Sequence, residues 1–501
     1  MSDSMLVFAP LRLEAAALGA SPDWRVLRSG MGPSRARIAA ARGLAVDDAA
    51  SLAVTGLCAA IDPALRPGDV VLGSQLQRPD GTSIDVPGSA LLAAALRRHG
   101  SRVHVGPIAS VDRITTRADR SALRDGGAIA VDMESAWLAD AAAGRPLAVL
   151  RVVVESSERE LRDPRTVLAG IRALASLRRT RAALAEWAHA VGPHQVLLAG
   201  PRSFCAGVER AIEVVELALE QRGAPVYVRK QIVHNEHVVA DLEERGAVFV
   251  DELDEVPTGA TVVFSAHGVS PAVKRDAAER GLDVIDATCP LVNKVHAEAR
   301  RFASEGHTIF LVGHNGHEEV EGTLGEAPER IAVVENIDDV AQVEVDDPAR
   351  VSFLTQTTLA VDETNEIVNA LRERYPALRG PRSDDICYAT TNRQQAVRAV
   401  ARDSDVVLVV GSRTSSNSKR LVEVSEREGT PAYLVDDERD VDVAWLAGAP
   451  TVGLTAGASA PEGLVDRIIA ALGGLGPVTV EERTTTTESI QFRVPKEVLP
   501  V

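Results

Sequence analysis

The stretch VLLAGPRSFCAGVERAIEVVELALEQRG, residues 196–223, joins an apolar run to an amphipathic segment through a tight loop that carries one cysteine. The run VLLAG is β-rich, Pro201 and Gly207 mark the loop, and Ile212, Val215, Leu217 and Leu219 follow at mixed helical spacing, so the stretch reads as strand, loop, helix. Cys205 then lies at the C-terminal end of a strand. In open α/β sheets ligands collect there, close to helix N-termini that favour anions. A single cysteine in such a place can equally be a small buried apolar residue, so its meaning depends on the rest of the chain.

The same alternation continues in both directions. The strand candidates LAVTGL, DVVLG, LAVLRVVV, VLLAG, TVVFSA, TIFLVG, DVVLVVG and TVGLTAG are separated by helical segments, which predicts an α/β protein with parallel sheets. A long helical stretch over roughly 164–190 ends at Gly192 and Pro193. That predicts a first domain over 1–190, a linker at 191–194 and a second domain over 195–501. The tail after 478, with four threonines at 484–487 and then IQFRVPKEV, reads as an irregular turn followed by a short docking strand.

Composition narrows the function classes. Aromatic residues make up only 3% of the chain and its formal charge is −17, so a nucleic-acid partner is not expected. The start MSDSMLVFAP has no basic segment before an apolar one, and no apolar run is long enough to span a bilayer, which predicts a cytoplasmic protein without a membrane partner. The four cysteines, Cys58, Cys205, Cys289 and Cys387, include no CxxC pair. In a reducing compartment such spacing argues against disulfides and for metal binding or catalysis.

Cys205, Cys289 and Cys387 are 84 and 98 residues apart. Each interval can hold a subdomain of about a hundred residues, and three similar lobes offering one cysteine each to a common centre give the repetition a purpose. Three thiolates could hold zinc or an iron-sulfur cluster. The local ligand pairs usual in structural zinc sites are missing, and a cubane held by three cysteines leaves one iron open to substrate. The histidines of VHNEH (233–237), SAHG (265–268) and GHNGHEEVEG (313–322), with TQTT (355–358), SRTSSNS (412–418) and TAGASAP (455–461), would line that centre with imidazoles, hydroxyls and amides. Such groups suit a diphosphate at helix N-termini. For each serine-rich loop the plainer alternative is N-capping.

Over residues 195–501 the motifs PRSFCAGVERA, YVRKQIVHN, FSAHGVS, DATCPLVNKVH, GHNGHEEVEG, FLTQTTL, DDICYATTNRQ, GSRTSSNSKR, GLTAGASAP and FRVPKE resemble, in order, the 4-hydroxy-3-methylbut-2-enyl diphosphate reductases. The resemblance implies a cloverleaf of three α/β lobes around a 4Fe-4S cluster held by Cys205, Cys289 and Cys387. It implies that His234, His267, Ser415, Ser416, Asn417 and Ser459 hold the diphosphate, and that His317 sits beside the substrate. Glu319 and Thr357 would form the proton path at its hydroxyl end. Glu318 is expected to be nearly silent, and Cys58 structural. The implied reaction uses two single-electron transfers and loss of water to give isopentenyl or dimethylallyl diphosphate, the last step of the methylerythritol phosphate route to isoprenoids. Without a flavin or nicotinamide fingerprint, the electrons would come from ferredoxin or flavodoxin. The competing class is a structural zinc or redox-sensing protein.

In the first half, APLRLEAAAL (9–18), SGMGPSRA (29–36), VTGLCAAIDPALRPGDVVLG (54–73) and VDMESAWLA (131–139) resemble the nucleoside phosphorylase and nucleosidase superfamily, particularly its hopanoid-associated members. The resemblance places Gly30 and Gly32 near phosphate or ribose, Met133 and Glu134 on ribose, and Glu14 near the sugar or nucleophile. Where that superfamily usually carries an aspartate that protonates the leaving purine, this chain has Glu155 in RVVVESSE. The extra methylene moves the carboxyl, and small displacements are costly in catalysis. Three readings stand open: a nucleosidase or phosphorylase acting on a 5′-substituted adenosine, a degenerate nucleoside-binding module, and a structural module.

Overall fold

The computed structural model describes residues 5–46, 49–156 and 166–499. The chain forms two compact units: one of residues 1–196, 435–452 and 466–481, the other of residues 197–434, 453–465 and 482–501. The first therefore takes in two segments from far beyond residue 190.

The first unit is built on an eight-stranded sheet in the order Trp24–Arg28, Met5–Ala9, Ser51–Ala60, Ala130–Asp132, Val103–Ser110, Val70–Gln77 and Ser83–Asp85, with Leu147–Glu155 pairing both Ser51–Ala60 and Val70–Gln77. Its apolar strands are covered on both faces, and MLVFA at Met5–Ala9 is wholly buried. The sheet is mixed, where the alternation of strands and helices predicts parallel pairing. Leu147–Glu155 runs parallel to Ser51–Ala60 but antiparallel to Val70–Gln77, and Ala130–Asp132 is antiparallel to Ser51–Ala60. These pairings close a ring of strands, a feature of register that periodicity cannot carry.

The helix expected over 164–190 is two helices, Thr166–Arg179 and Arg181–Ala190; residues 164 and 165 lie outside those described. At the break the buried Thr180 donates its hydroxyl to Leu177 O at 2.7 Å, a local bond that competes with the helix ladder. All four tryptophans, Trp24, Trp137, Trp187 and Trp445, belong to this unit.

Three further sheets make up the rest of the fold. The four-stranded one runs Ala247–Val250, Val226–Arg229, Thr261–Phe264, Asp283–Asp286, and the three-stranded one Ile331–Val334, Thr308–Val312, Val351–Thr355, all parallel. The third holds Ala432–Val435, Val406–Val410, Thr451–Ala456, His194–Gly200 and Val478–Thr484 in that order.

The helices that start at the three spaced cysteines carry the chain from one sheet to the next. Ala206–Arg222 leaves the five-stranded sheet, and its Ala211, Val214, Val215 and Ala218 pack with Val226, Val263 and Ile285 of the four-stranded one. Pro290–Ser304 leaves the four-stranded sheet and buries Val295, Ala299 and Phe302 with Ile309, Leu311 and Leu354 of the three-stranded one. Tyr388–Ala401 returns, packing Val397 and Ala401 with Val407 and Val409, and Ala396 and Val400 with Leu197 and Ala199.

The tail departs from expectation. Its regular strand is Val478–Thr484, and IQFRVPKEV forms none; only Lys496–Val498 turns, as a 3-10 helix. Pro495 has no N–H to offer a ladder. The tail docks by other means: Val498 is buried in an apolar cluster, its carbonyl accepts from Gln221 Nε2 at 2.6 Å, and Arg493 O accepts from Arg210 Nε at 2.7 Å. Among the described residues no helix is long and apolar enough to cross a membrane.

Candidate functional site

Each of the three cysteines is an N-cap. Cys205 precedes Ala206–Arg222, Cys289 precedes Pro290–Ser304, and Cys387 precedes Tyr388–Ala401, where its Sγ accepts from Thr390 N at 3.4 Å. The capping position sets each sulfur at the positive end of a helix, which favours a thiolate or an anionic group bound there. Backbone bonds anchor the three: Cys205 N to Ala458 O at 3.4 Å, Cys289 N to Ala266 O at 3.0 Å, and Cys387 N to Thr357 O at 3.1 Å. A Cβ on Gly207 would stand 2.8 Å from Cys289 Sγ and 3.8 Å from Cys205 Sγ, so this glycine lets two sulfurs approach. All three cysteines are free thiols lining one cavity of about 770 Å³. Burial pushes the Cys289 thiol up to about 12 and that of Cys387 to about 11. Three soft donors meeting at an apolar cavity fit an iron-sulfur group.

The same cavity is lined by His234, His267, His317, Glu319, Thr357, Ser415, Ser416, Asn417 and Ser459. His234 stacks on His267 with ring centroids 4.1 Å apart, and His317 meets both edge-on at 5.5 and 5.8 Å. Burial, reinforced by neighbouring imidazoles, pushes His234 down to about 2 and His317 to about 3. His317 caps the helix Glu318–Leu324 through Nδ1, which accepts from Glu319 N at 3.2 Å.

Among the hydroxyls, Ser415 does cap its helix, accepting from Ser418 N at 3.3 Å, as the plainer alternative requires. Ser459 Oγ donates to His234 O at 3.0 Å, and Ser416 Oγ to Thr358 O at 3.4 Å. Asn417 is different: it is buried, and neither its Oδ1 nor its Nδ2 has a hydrogen-bond partner. An unsatisfied buried amide carries a desolvation cost, so in a cavity wall it marks a place for a polar ligand.

Glu319 is only 2% exposed. Its Oε1 accepts from Thr357 N at 2.7 Å and its Oε2 from Thr357 Oγ1 at 3.0 Å. Burial raises its carboxyl above the usual range, against the pull of both Thr357 bonds.

Glu318, expected to be nearly silent, has partners of its own. Its Oε2 lies 3.0 Å from His267 Nδ1 and 3.5 Å from Ser265 Oγ. Burial alone would raise this carboxyl, but the bond to His267 and the charges of His267, His317 and Lys230 hold it below the usual range. His234, His267 and Glu318 also bring one donor atom each within 4.8 Å of one another, a set that a divalent cation could use. Two residues inside the quoted motifs were given no role of their own: Gln356, which binds His314 N at 3.1 Å and Thr358 Oγ1 at 2.9 Å, and Tyr388, whose hydroxyl accepts from Ala206 N at 3.3 Å.

The first unit has its own cavity, about 830 Å³, lined by Glu14, Met133, Glu134 and Glu155. Glu14 accepts from Leu11 N at 2.6 Å and Leu57 N at 2.9 Å, and burial raises its carboxyl. Glu134 accepts from Gly32 N at 2.9 Å, and burial, countered by Arg151, leaves its carboxyl at about 7. Gly30 and Gly32 hold the turn at φ 78° and 91°; Met31 between them lines the cavity. Glu155 is buried against Arg120 at 2.8 Å. Cys58 sits in the apolar core and also touches this cavity.

The hub of the first unit is a residue the sequence reading passed over. Arg151, fully buried, lies 2.8 Å from Asp132 and 3.7 Å from Glu134, and it donates to Ser135 Oγ and Thr55 O. Its signal was present in LAVLRVVV, where a lone charge interrupts an apolar strand.

A model of the LytB protein family matches residues 196–473, and one of the phosphorylase superfamily matches residues 23–183. A 4-hydroxy-3-methylbut-2-enyl diphosphate reductase of Mycobacterium bovis is 58% identical over 314 residues, covering 62% of this chain and 95% of the relative. Its counterpart from Leifsonia xyli is 60% identical over 307 residues, 61% of this chain and 91% of the relative. The solved structure of the E-1-hydroxy-2-methyl-but-2-enyl-4-diphosphate reductase of Plasmodium falciparum matches with a TM-score of 0.59 at 38% identity, covering 61% of this chain and 97% of that one.

Proposed function

The chain belongs to the LytB protein family, and from that premise we propose how its second unit reduces 4-hydroxy-3-methylbut-2-enyl diphosphate to isopentenyl and dimethylallyl diphosphate, the last step of the methylerythritol phosphate route. The chain is an oxidoreductase of the iron-sulfur kind. Cys205, Cys289 and Cys387 hold a 4Fe-4S cluster, which when bound supplies electrons singly and one iron without a protein ligand. Ferredoxin or flavodoxin is the electron donor.

His234, His267, Ser415, Ser416, Asn417 and Ser459 bind the diphosphate, and His317 lies beside the substrate. Glu319 holds the proton that leaves with the hydroxyl as water. Its burial keeps the carboxyl protonated toward higher pH, and the Thr357 hydroxyl at 3.0 Å gives that proton a path into the cavity. The single observation that carries this reading is that one cavity unites three cysteines from three lobe crossings with Asn417, a buried amide in want of a polar ligand. Anaerobic purification tests it: a brown protein with iron and with absorption near roughly 400 nm is expected, and zinc in its place would favour a structural zinc or redox-sensing protein.

For the first unit we infer a nucleoside pocket, with Met133 and Glu134 on the ribose, Glu14 near the sugar, Glu155 at the base, and the Gly30–Gly32 turn beside them. One observation favours binding over cleavage: the Oε2 of Glu155 is paired with the buried guanidinium of Arg120 at 2.8 Å, and a carboxylate paired with a cation is a poor proton donor. Incubating the full chain with 5′-methylthioadenosine separates the two, since adenine release requires turnover, while a raised melting temperature without adenine indicates binding alone.

A further inference from the structure

Three imidazoles line the cavity, and one of them, His267, has a carboxylate within hydrogen-bond distance. Burial first, and then neighbouring imidazoles, push His234 and His317 toward the neutral form, whereas His267 Nδ1 lies 3.0 Å from Glu318 Oε2, with Ser265 Oγ 3.4 Å from the same nitrogen. The pair is four-fifths buried or more, at 15% and 20% side-chain exposure. An ionised carboxylate only accepts, so the proton of this bond is on Nδ1. A diphosphate oxygen also only accepts, so the nitrogen turned to it has to donate as well. Both nitrogens donate only in the imidazolium form, and an imidazolium in a buried site needs a counter-charge.

We propose that Glu318 is a positioning residue for diphosphate binding: it fixes the His267 ring and balances its charge, so that one imidazolium among the three imidazoles grips the substrate. The assignment rests on the reading of His267 as a diphosphate ligand. It accounts for two adjacent glutamates that do different work, Glu319 turned to Thr357 and Glu318 to His267. Charge-assisted bonds are about twice as strong as neutral ones, so removing the counter-charge weakens binding and leaves the chemical step alone.

The test uses the full, cluster-loaded chain with reduced methyl viologen, reading kcat, KM and the Ki of inorganic pyrophosphate. Glu318→Gln keeps an acceptor but loses the charge; KM and Ki should rise about tenfold with kcat and iron content within about twofold of wild type. Glu318→Asp keeps the charge and should recover most of the affinity; if Glu318→Gln fails to fold, the Ki of Glu318→Asp against that of the neutral Glu318→Ala decides. In a His267→Ala background, Glu318→Gln should add nothing. A Ki within twofold of wild type in Glu318→Gln, or an equal loss with and without His267, overturns the assignment. Pyrophosphate binding that chelator abolishes would make His234, His267 and Glu318 a cation site instead, and also overturns it. If His267→Ala itself leaves Ki unchanged, the diphosphate reading of the site is what has failed.

Discussion

The two cavities share an ingredient, buried carboxylates held by backbone amides, and differ in what surrounds it. In the second unit Asn417 is buried with both amide atoms unpartnered, and the three cysteines are free, so the cavity wall holds groups still open to a ligand. In the first, Glu14 is tied to two amides, Glu134 to Gly32 and Arg151, and Glu155 to Arg120. One cavity wall holds an amide open to what it receives, and in the other the charged side chains are paired with one another. Catalytic sites spend stability on groups left open; a cavity whose charges are balanced from within can bind or brace without that cost.

The sharpest way to break the contrast is at the cysteines. Cys205→Ser, Cys289→Ser and Cys387→Ser should each lose iron and essentially all reductase activity, while Cys58→Ser, in the first unit's core, keeps both; a hydroxyl is a poor ligand for a soft iron-sulfur site. Normal iron content in any of the first three would remove the claim that the cavity is built around a cofactor. Next, Glu319→Gln should bind substrate normally and turn over ~10²- to 10⁴-fold more slowly. Wild-type kcat under saturating reductant would pass the proton to Thr357 or to the substrate's own diphosphate.

In the first unit the expected effects are on stability. Arg151→Met leaves Asp132 and Glu134 without their buried partner and should cost about 3–5 kcal/mol. Because every tryptophan lies in that unit, intrinsic fluorescence reads its unfolding selectively. The smallest effect is a pH slope. Burial raises Glu134 from 4.5 to about 7, so over that window the folded unit binds more protons than the unfolded chain and its stability falls as pH rises. Glu134→Gln should flatten the fall in fluorescence-monitored melting temperature between those limits. A slope unchanged by the substitution would mean that another group titrates there.

Much of the second unit was legible because its chemistry sits at element boundaries. A cysteine between an apolar run and an amphipathic segment is visible in one dimension, and all three spaced cysteines proved to be helix N-caps. Strand direction was less visible, since Val70–Gln77 shows the same apolar run whether its neighbour is parallel or antiparallel. The break at Thr180 between two helices leaves no mark in a 3.6-residue period. Pairings such as Glu318 with His267, 51 residues apart in the chain, depend on three-dimensional closeness. The compact first unit includes 435–452 and 466–481, so a cut near residue 195 would divide it. Point substitutions in the full chain are therefore the cleaner way to separate the roles of the two units.

The N-cap placement of the cysteines has a mechanical consequence. Each sulfur sits at the first turn of a helix that leaves one sheet and packs on the next, which is where a pivot between two lobes would lie. Displacement under a small rotation grows with distance from the pivot. A small rotation of a lobe about such a pivot would therefore leave its sulfur nearly in place.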